Sequence, residues 1–125
     1  MAKANSIQIK WLSKVEAHDY PAAESYLRLI YREAKVSSMI AQLKKASVVG
    51  FKAKDIFRAS GLSLLGVSNS HVLKDRKKIL KEETLSPLLL IRDEANGKVL
   101  IADGYHRLCA IYEFDEDAWI PCKIA

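Results

Sequence analysis

Residues 86–110 read SPLLLIRDEANGKVLIADGYHRLCA, and the chain's architecture turns on them. Leu88 to Arg92 and Lys98 to Ala102 are two apolar runs of strand length joined by Asp-Glu-Ala-Asn-Gly, in which Asn96-Gly97 is a strong hairpin signal. The two strands are expected to pair antiparallel. The second runs through Asp103-Gly104 into a helix extending from Gly104 to about Phe114, with Leu108, Ile111 and Phe114 on its buried side. Asp103 suits the helix N-cap, because its carboxylate can accept from first-turn amides. Gly104 is harder to explain: glycine in a helix costs about 1 kcal/mol relative to alanine, so something is expected to approach the backbone closely there.

Beyond that helix, Asp115-Glu-Asp117 forms an acidic loop and Trp119 to Ile124 a closing strand, which Pro121 assigns to an edge or a bulge. Upstream, His18 to Tyr31 opens like a helix capped by Asp19, with Pro21 in its first turn and Tyr26, Leu27, Ile30 and Tyr31 on one face. Lys35 to Ala46 continues the helical period through Val36, Met39, Ile40 and Leu43, which suggests a helical hairpin. Ser47 to Lys54 reads as a strand, Asp55 to Ser60 as a short helical turn, and Gly61 to Gly66 as a loop. A third helix begins near Ser68 or Ser70 and runs to about Glu83, with Val72, Leu73, Ile79 and Leu80 inward. Its KDRKK run is a solvated face on one reading and a ligand surface on the other. Mixed strands and helices place the chain in the α+β class.

The 125 residues suit one domain, and half of them are apolar, enough for a core. The longest aliphatic run, Leu88 to Ile91, is far short of the roughly 20 residues that cross a bilayer. The first twelve residues have no secretory pattern, so a cytoplasmic location without membrane association is expected. Cys109 and Cys122 lack metal-ligand spacing and read as small buried hydrophobes. Charge is uneven along the chain. Residues 51–92 carry nine Lys/Arg against four Asp/Glu, whereas residues 93–125 carry three against seven, so the middle third is the anion-facing candidate.

A helix N-terminus gathers unpaired N–H groups and the positive end of the helix dipole, which together suit a phosphate. Gly104 would admit it, and His106 and Arg107 would add a hydrogen bond and a bidentate cation. The same residues also read as a plain capped helix start.

From about Val49 onward the chain resembles the fold shared by the ParB N-terminal domain and sulfiredoxin. The resemblance runs through FKAKDIF, HVLKDRKKILKEE, SPLLLIRD, KVLIADGYHRLCA and WIPCKI, and ADGYHR is its most specific part. It implies a mixed sheet flanked by helices over residues 47–125, with residues 1–46 as an N-terminal helical extension. In that fold the Gly-x-x-Arg turn binds nucleotide phosphates. Members bind CTP or ATP, and a free-serine kinase carries Asp-Gly-His-His-Arg where this chain has Asp103-Gly-Tyr-His-Arg107. Tyr105 stands where sulfiredoxin has its reactive cysteine, so sulfinate repair is not implied. The chain's last residue, Ala125, follows soon after the closing strand, which argues against centromere binding of the ParB kind.

The resemblance therefore implies nucleotide contacts at Gly104, Tyr105, His106 and Arg107. Lys52, Lys54 and Arg58 are expected to face the same pocket, Lys52 and Lys54 sharing one face of a regular strand. Lys74 and Lys78 lie one turn apart and within reach of a polyphosphate. Asp103 and Asp55 are the candidate catalytic residues, Asp103 doubling as a Mg²⁺ ligand, although a helix-capping role for Asp55 competes. His18-Asp19 and His71 read as structural. The functional expectation is a nucleotide-phosphate-binding protein, a small phosphotransferase or nucleotide hydrolase. The alternative is a non-catalytic module that binds nucleic acid, or a protein partner through residues 19–46, and keeps a vestigial nucleotide site.

Overall fold

Two short apolar runs and the turn chemistry between them make residues 88–103 a hairpin. In the computed structural model, which describes residues 8–125, β4 (Leu88–Asp93) pairs antiparallel with β5 (Lys98–Asp103). A 3₁₀ turn over Glu94–Asn96 joins them, and Gly97 takes φ +64°, the left-handed backbone this reversal requires. Residues 1–7, which hold over half of the N-terminus read above as lacking a secretory pattern, lie outside the described residues.

Four consecutive residues of β4, Leu88 to Ile91, are buried, because both faces of this strand are covered. It lies inside a four-stranded sheet of order β2-β6-β4-β5, where β2 is Val49–Lys52 and β6 is Trp119–Ile124. β6 runs parallel to β4 and antiparallel to β2. Pro121 therefore does not mark an edge strand. The register explains how it is accommodated: β4 begins opposite Cys122, so Pro121 lies where β6 overhangs its neighbour and faces only Gly50 of β2.

Helices flank the sheet on both faces. On one, α1 (Asp19–Leu27) and α2 (Glu33–Lys45) press Ala23, Leu27, Val36, Ile40 and Leu43 onto Leu89, Ile91, Leu100 and Ala102. The helical hairpin thus forms one wall of the molecule. On the other face α3 (Ala53–Ser60), α4 (Ser70–Leu80) and α5 (Tyr105–Phe114) enclose Ile56, Val72, Ile79, Leu108 and Ile111 with Leu88, Leu90 and Ile120.

Several local expectations are corrected. α1 ends at Leu27, so Ile30 falls in the turn beyond it and is exposed, as is Tyr26; the buried stripe is Asp19, Ala23 and Leu27. Asp19 is not the cap of α1 but lies inside its first turn, buried, with His18 at the cap position. α4 stops at Leu80, whose side chain is exposed, and its cap is Asn69, whose Oδ1 accepts from His71 N at 2.9 Å. One pairing has no counterpart in the sequence pattern. β1 (Lys10–Trp11) runs parallel to β3 (Thr84–Leu85), and Leu12 N donates to Leu85 O at 2.8 Å, which draws the segment before α1 alongside the start of β4.

Candidate functional site

β5 ends at Asp103, and a register shift opposite Leu89 and Leu90 bends the ladder just before it. Gly104 follows with φ +105° at the cap position of α5, so Asp103 is a strand residue and not the helix cap. Among the described residues no side chain caps α5. A Cβ on Gly104 would lie 2.7 Å from Leu88 Cγ and 2.8 Å from Arg107 Nη2. The groups that crowd this backbone therefore include the chain's own leucine and the guanidinium folded back from one turn along α5.

Arg107 Nη2 donates to Asp103 Oδ2 at 3.0 Å and lies 3.5 Å from Asp19 Oδ2. Asp19 Oδ1 is in turn 3.2 Å from His18 Nε2. This sequence-distant partner explains the burial of Asp19, whose side chain is only 4% exposed, because a buried carboxylate needs a counter-charge. Asp19 Oδ2 and Arg107 Nε are buried and have no hydrogen-bond partner among the described residues. Burial pushes the Asp103 carboxyl above the ordinary aspartate range, and the negative charge of Asp19 adds to this against the opposing pull of Arg107.

α4 supplies the facing wall. His71, Asp75 and Lys78 recur at helical spacing, so one stripe of the helix is polar. The rings of His71 and His106 lie 4.9 Å apart between centroids. Burial pushes the His106 imidazole below its usual pKa, helped by His71 and opposed by Asp75. Burial likewise raises the Asp75 carboxyl, despite Arg107, Lys78, His106 and Lys74 nearby. Between these walls lies a polar cleft of about 140 Å³, lined by Asp75, Lys78, Asp103, Gly104, His106 and Arg107. Glu16 and the Thr84–Ser86 segment complete it, with Glu16 N donating to Ser86 Oγ at 3.0 Å.

The structure thus gathers Asp103, Gly104, His106, Arg107 and Lys78, and adds Glu16 and Asp75, with Asp19 and His71 behind them. Asp75 and His71 were legible as an i, i+4 pair in step with Lys78; Glu16 and Asp19 had no local signal. The hydroxyl of Tyr105 turns away and donates to the Ser63 carbonyl. Lys74 opens instead into a separate groove of about 320 Å³ shared with Lys77, Lys78 and Lys81.

The β2–α3 segment does not face this cleft. Ala53 N and Lys54 N donate to Ala118 O and Glu116 O, in the segment beyond the C-terminal end of α5, about 15 Å along that ten-residue helix from its start. Lys52 packs over the Trp119 ring, Lys54 Nζ pairs with Asp117 Oδ1 at 2.8 Å, and Arg58 is exposed on the last turn of α3. β2 ends at Lys52, so Lys52 and Lys54 do not share a strand face. Asp55 sits in the first turn of α3 behind the Lys52 cap position and lines a different, apolar cleft.

Among the described residues no group of three or more His, Cys, Asp or Glu is arranged to hold a metal ion, and no helix is long and apolar enough to cross a membrane. Cys109 and Cys122 are buried free thiols, and burial pushes Cys122 up to about 12. Comparison with family models, curated proteins and solved structures finds no match to this chain.

Proposed function

We propose that the polar cleft at the start of α5 binds the phosphates of a nucleotide, in the manner of the ParB/sulfiredoxin-like fold that ADGYHR resembles, and that it serves a small phosphotransferase or nucleotide hydrolase. The observation that carries this reading is a helix start with no side-chain cap among the described residues, opening to a cleft that also holds Lys78, His106 and Arg107. Unpaired first-turn amides and the helix dipole favour an anion. The amides of Gly104 and Tyr105 would take the phosphate oxygens, Lys78 would reach the outer phosphate, and His106, neutral near pH 7, would donate or accept a hydrogen bond. Asp103 and Asp75, with raised carboxyl pKa values, are the candidate proton acceptors.

Charge adds a condition. Glu16, Asp75 and Asp103 outnumber Lys78 and Arg107 among the lining residues, so a polyphosphate would enter with Mg²⁺, held largely by its own oxygens and one carboxylate such as Asp103. A second reading rests on the α4 groove, where Lys74, Lys77, Lys78 and Lys81 converge: a non-catalytic nucleic-acid contact whose affinity would fall steeply with salt.

Thermal unfolding against ATP, ADP, CTP and GTP, with and without Mg²⁺, tests the first reading. A nucleotide at ~100 times its dissociation constant adds ~2.7 kcal/mol of stability, several degrees for a domain this size. The expected result is a Mg²⁺-dependent shift with one nucleotide that shrinks in Lys78→Ala. Arg107→Ala is an unsuitable control, because it strips two acidic side chains of their cation. No shift with any nucleotide, or one that Lys78→Ala leaves intact, overturns the reading.

A further inference from the structure

β4 joins two clefts. Leu88 at its first residue lies against Gly104 in the polar one, and Arg92, four residues on, lines the second, about 13 Å away along the strand. This second cleft has a volume of about 220 Å³ and lies between α3 and the sheet. Its wall is apolar and drawn from all four strands: Phe51 of β2, Ile124 of β6, Leu90 of β4 and Val99 of β5, with Ile56 on the α3 side. Phe51, Val99 and Ile124 are only partly buried, so apolar surface in the same layer as the core remains open to a ligand.

Two opposite charges stand at this apolar wall, Asp55 from α3 and Arg92 from β4. Neither makes a side-chain hydrogen bond or ion pair among the described residues. Both are exposed, so neither is needed to neutralise a buried charge. A carboxylate and a guanidinium bordering one small apolar hollow match a molecule with the reverse arrangement: an ammonium, a carboxylate and an apolar body. Size narrows the class, since a cavity of ~150 Å³ holds benzene. The second cleft is larger by about the volume of an α-carbon and its substituents.

We infer that this cleft binds a free α-amino acid with an aliphatic or aromatic side chain, its carboxylate on Arg92, its ammonium on Asp55 and its side chain against Phe51, Ile56, Val99 and Ile124. The site is independent of the polar cleft: it shares none of its lining residues and stands or falls without a nucleotide.

Titration of the isotope-labelled protein with leucine and phenylalanine, followed by amide and methyl NMR, tests the assignment. Parallel titrations use 4-methylpentanoate, which lacks the ammonium, and 3-methylbutylamine, which lacks the carboxylate. Saturable shifts at Ile56, Val99 and Ile124 are expected for at least one of the amino acids. Each analogue, and each of Arg92→Gln and Asp55→Asn, should weaken binding by about tenfold or more, as loss of one charge-assisted hydrogen bond does. Both substitutions are at exposed positions, so the fold is retained. Three results overturn the inference: no shifts at about 10 mM ligand, where a site with a 1 mM dissociation constant is mostly filled; shifts centred on Lys78 and His106 instead; or 4-methylpentanoate binding as tightly as leucine with Asp55→Asn indifferent.

Discussion

The two ends of α5 are built from the same kinds of charged residue and behave as opposites. At the N-terminal end Arg107, 16% exposed, sits between Asp103 and Asp19, which come from different segments of the chain. At the C-terminal end Arg76 meets Glu113 at 3.4 Å, and Lys54 meets Asp117 at 2.8 Å, both pairs more open to solvent than Arg107. The shortest of these contacts is on the surface, yet distance is a poor guide to what each contributes. Water already solvates the surface charges, so exposed pairs add little, whereas a charge stripped of water depends on its partner.

Arg107→Ala attacks this contrast at its strongest point. It leaves Asp103 and the deeply buried Asp19 without their cation, and a loss of about 3 kcal/mol or more is expected in chemical denaturation at pH 7. The loss should be smaller at pH ~4, near the ordinary aspartate value that burial lifts the Asp103 carboxyl above, because Asp103 then escapes the penalty by protonating. An equal loss at both pH values would mean that packing, not charge, holds this end together.

Gly104→Ala ranks next. A non-glycine residue at φ +105° costs about 1–3 kcal/mol, and the overlap with Leu88 and Arg107 adds to it. An alanine variant as stable as the parent would dissolve the close approach that organises the cleft.

Asp75→Asn should act in the other direction. The folded-state pKa of Asp75 lies above the ordinary 3.8, so the folded chain takes up this proton more readily than the unfolded one. The stabilisation this provides is present below pH ~4 and is lost as pH rises through the folded pKa. Asn removes the desolvated charge, so the variant should melt higher than the parent at pH 7, with the difference shrinking towards pH 4. His106, whose folded pKa lies below 6.5, has the opposite sign: the parent loses stability as pH falls from 6.5 through that value. Its NMR titration midpoint should drop further in Asp75→Asn, because the carboxylate that favours the imidazolium is gone.

The smallest effect belongs to the far end of α5. Lys54→Ala should leave the melting temperature within the scatter of replicate scans, since its short bond to Asp117 joins two exposed side-chain ends at the surface. A clear loss there would erase the distinction between the two ends.

Much of the frame was legible from local chemistry. The Asn96-Gly97 signal and the flanking apolar runs specify the β4–β5 hairpin, because turn chemistry and a short continuous apolar run are properties of a few adjacent residues. Val36, Ile40 and Leu43 announce the buried face of α2 in the same way, and the demand for a glycine at 104 was visible as a residue out of place in a helix start. The identity of its neighbours was not. Asp19 read as a cap, since a helix-start aspartate with a proline two residues on looks the same whether it faces water or an arginine from the far end of the chain. Asp55 and Lys54 read as partners of Asp103 because a linear order of elements does not say at which end of a helix each segment arrives. Even Pro121 misled, its tolerance depending on where β4 begins. The sequence by itself determined the β4–β5 hairpin, the buried face of α2 and the need for a glycine at 104, whose causes lie within a few residues. Only the tertiary structure decided which carboxylates lose their water beside Arg107 and which keep it at Lys54, because desolvation depends on what the whole chain stacks around a charge.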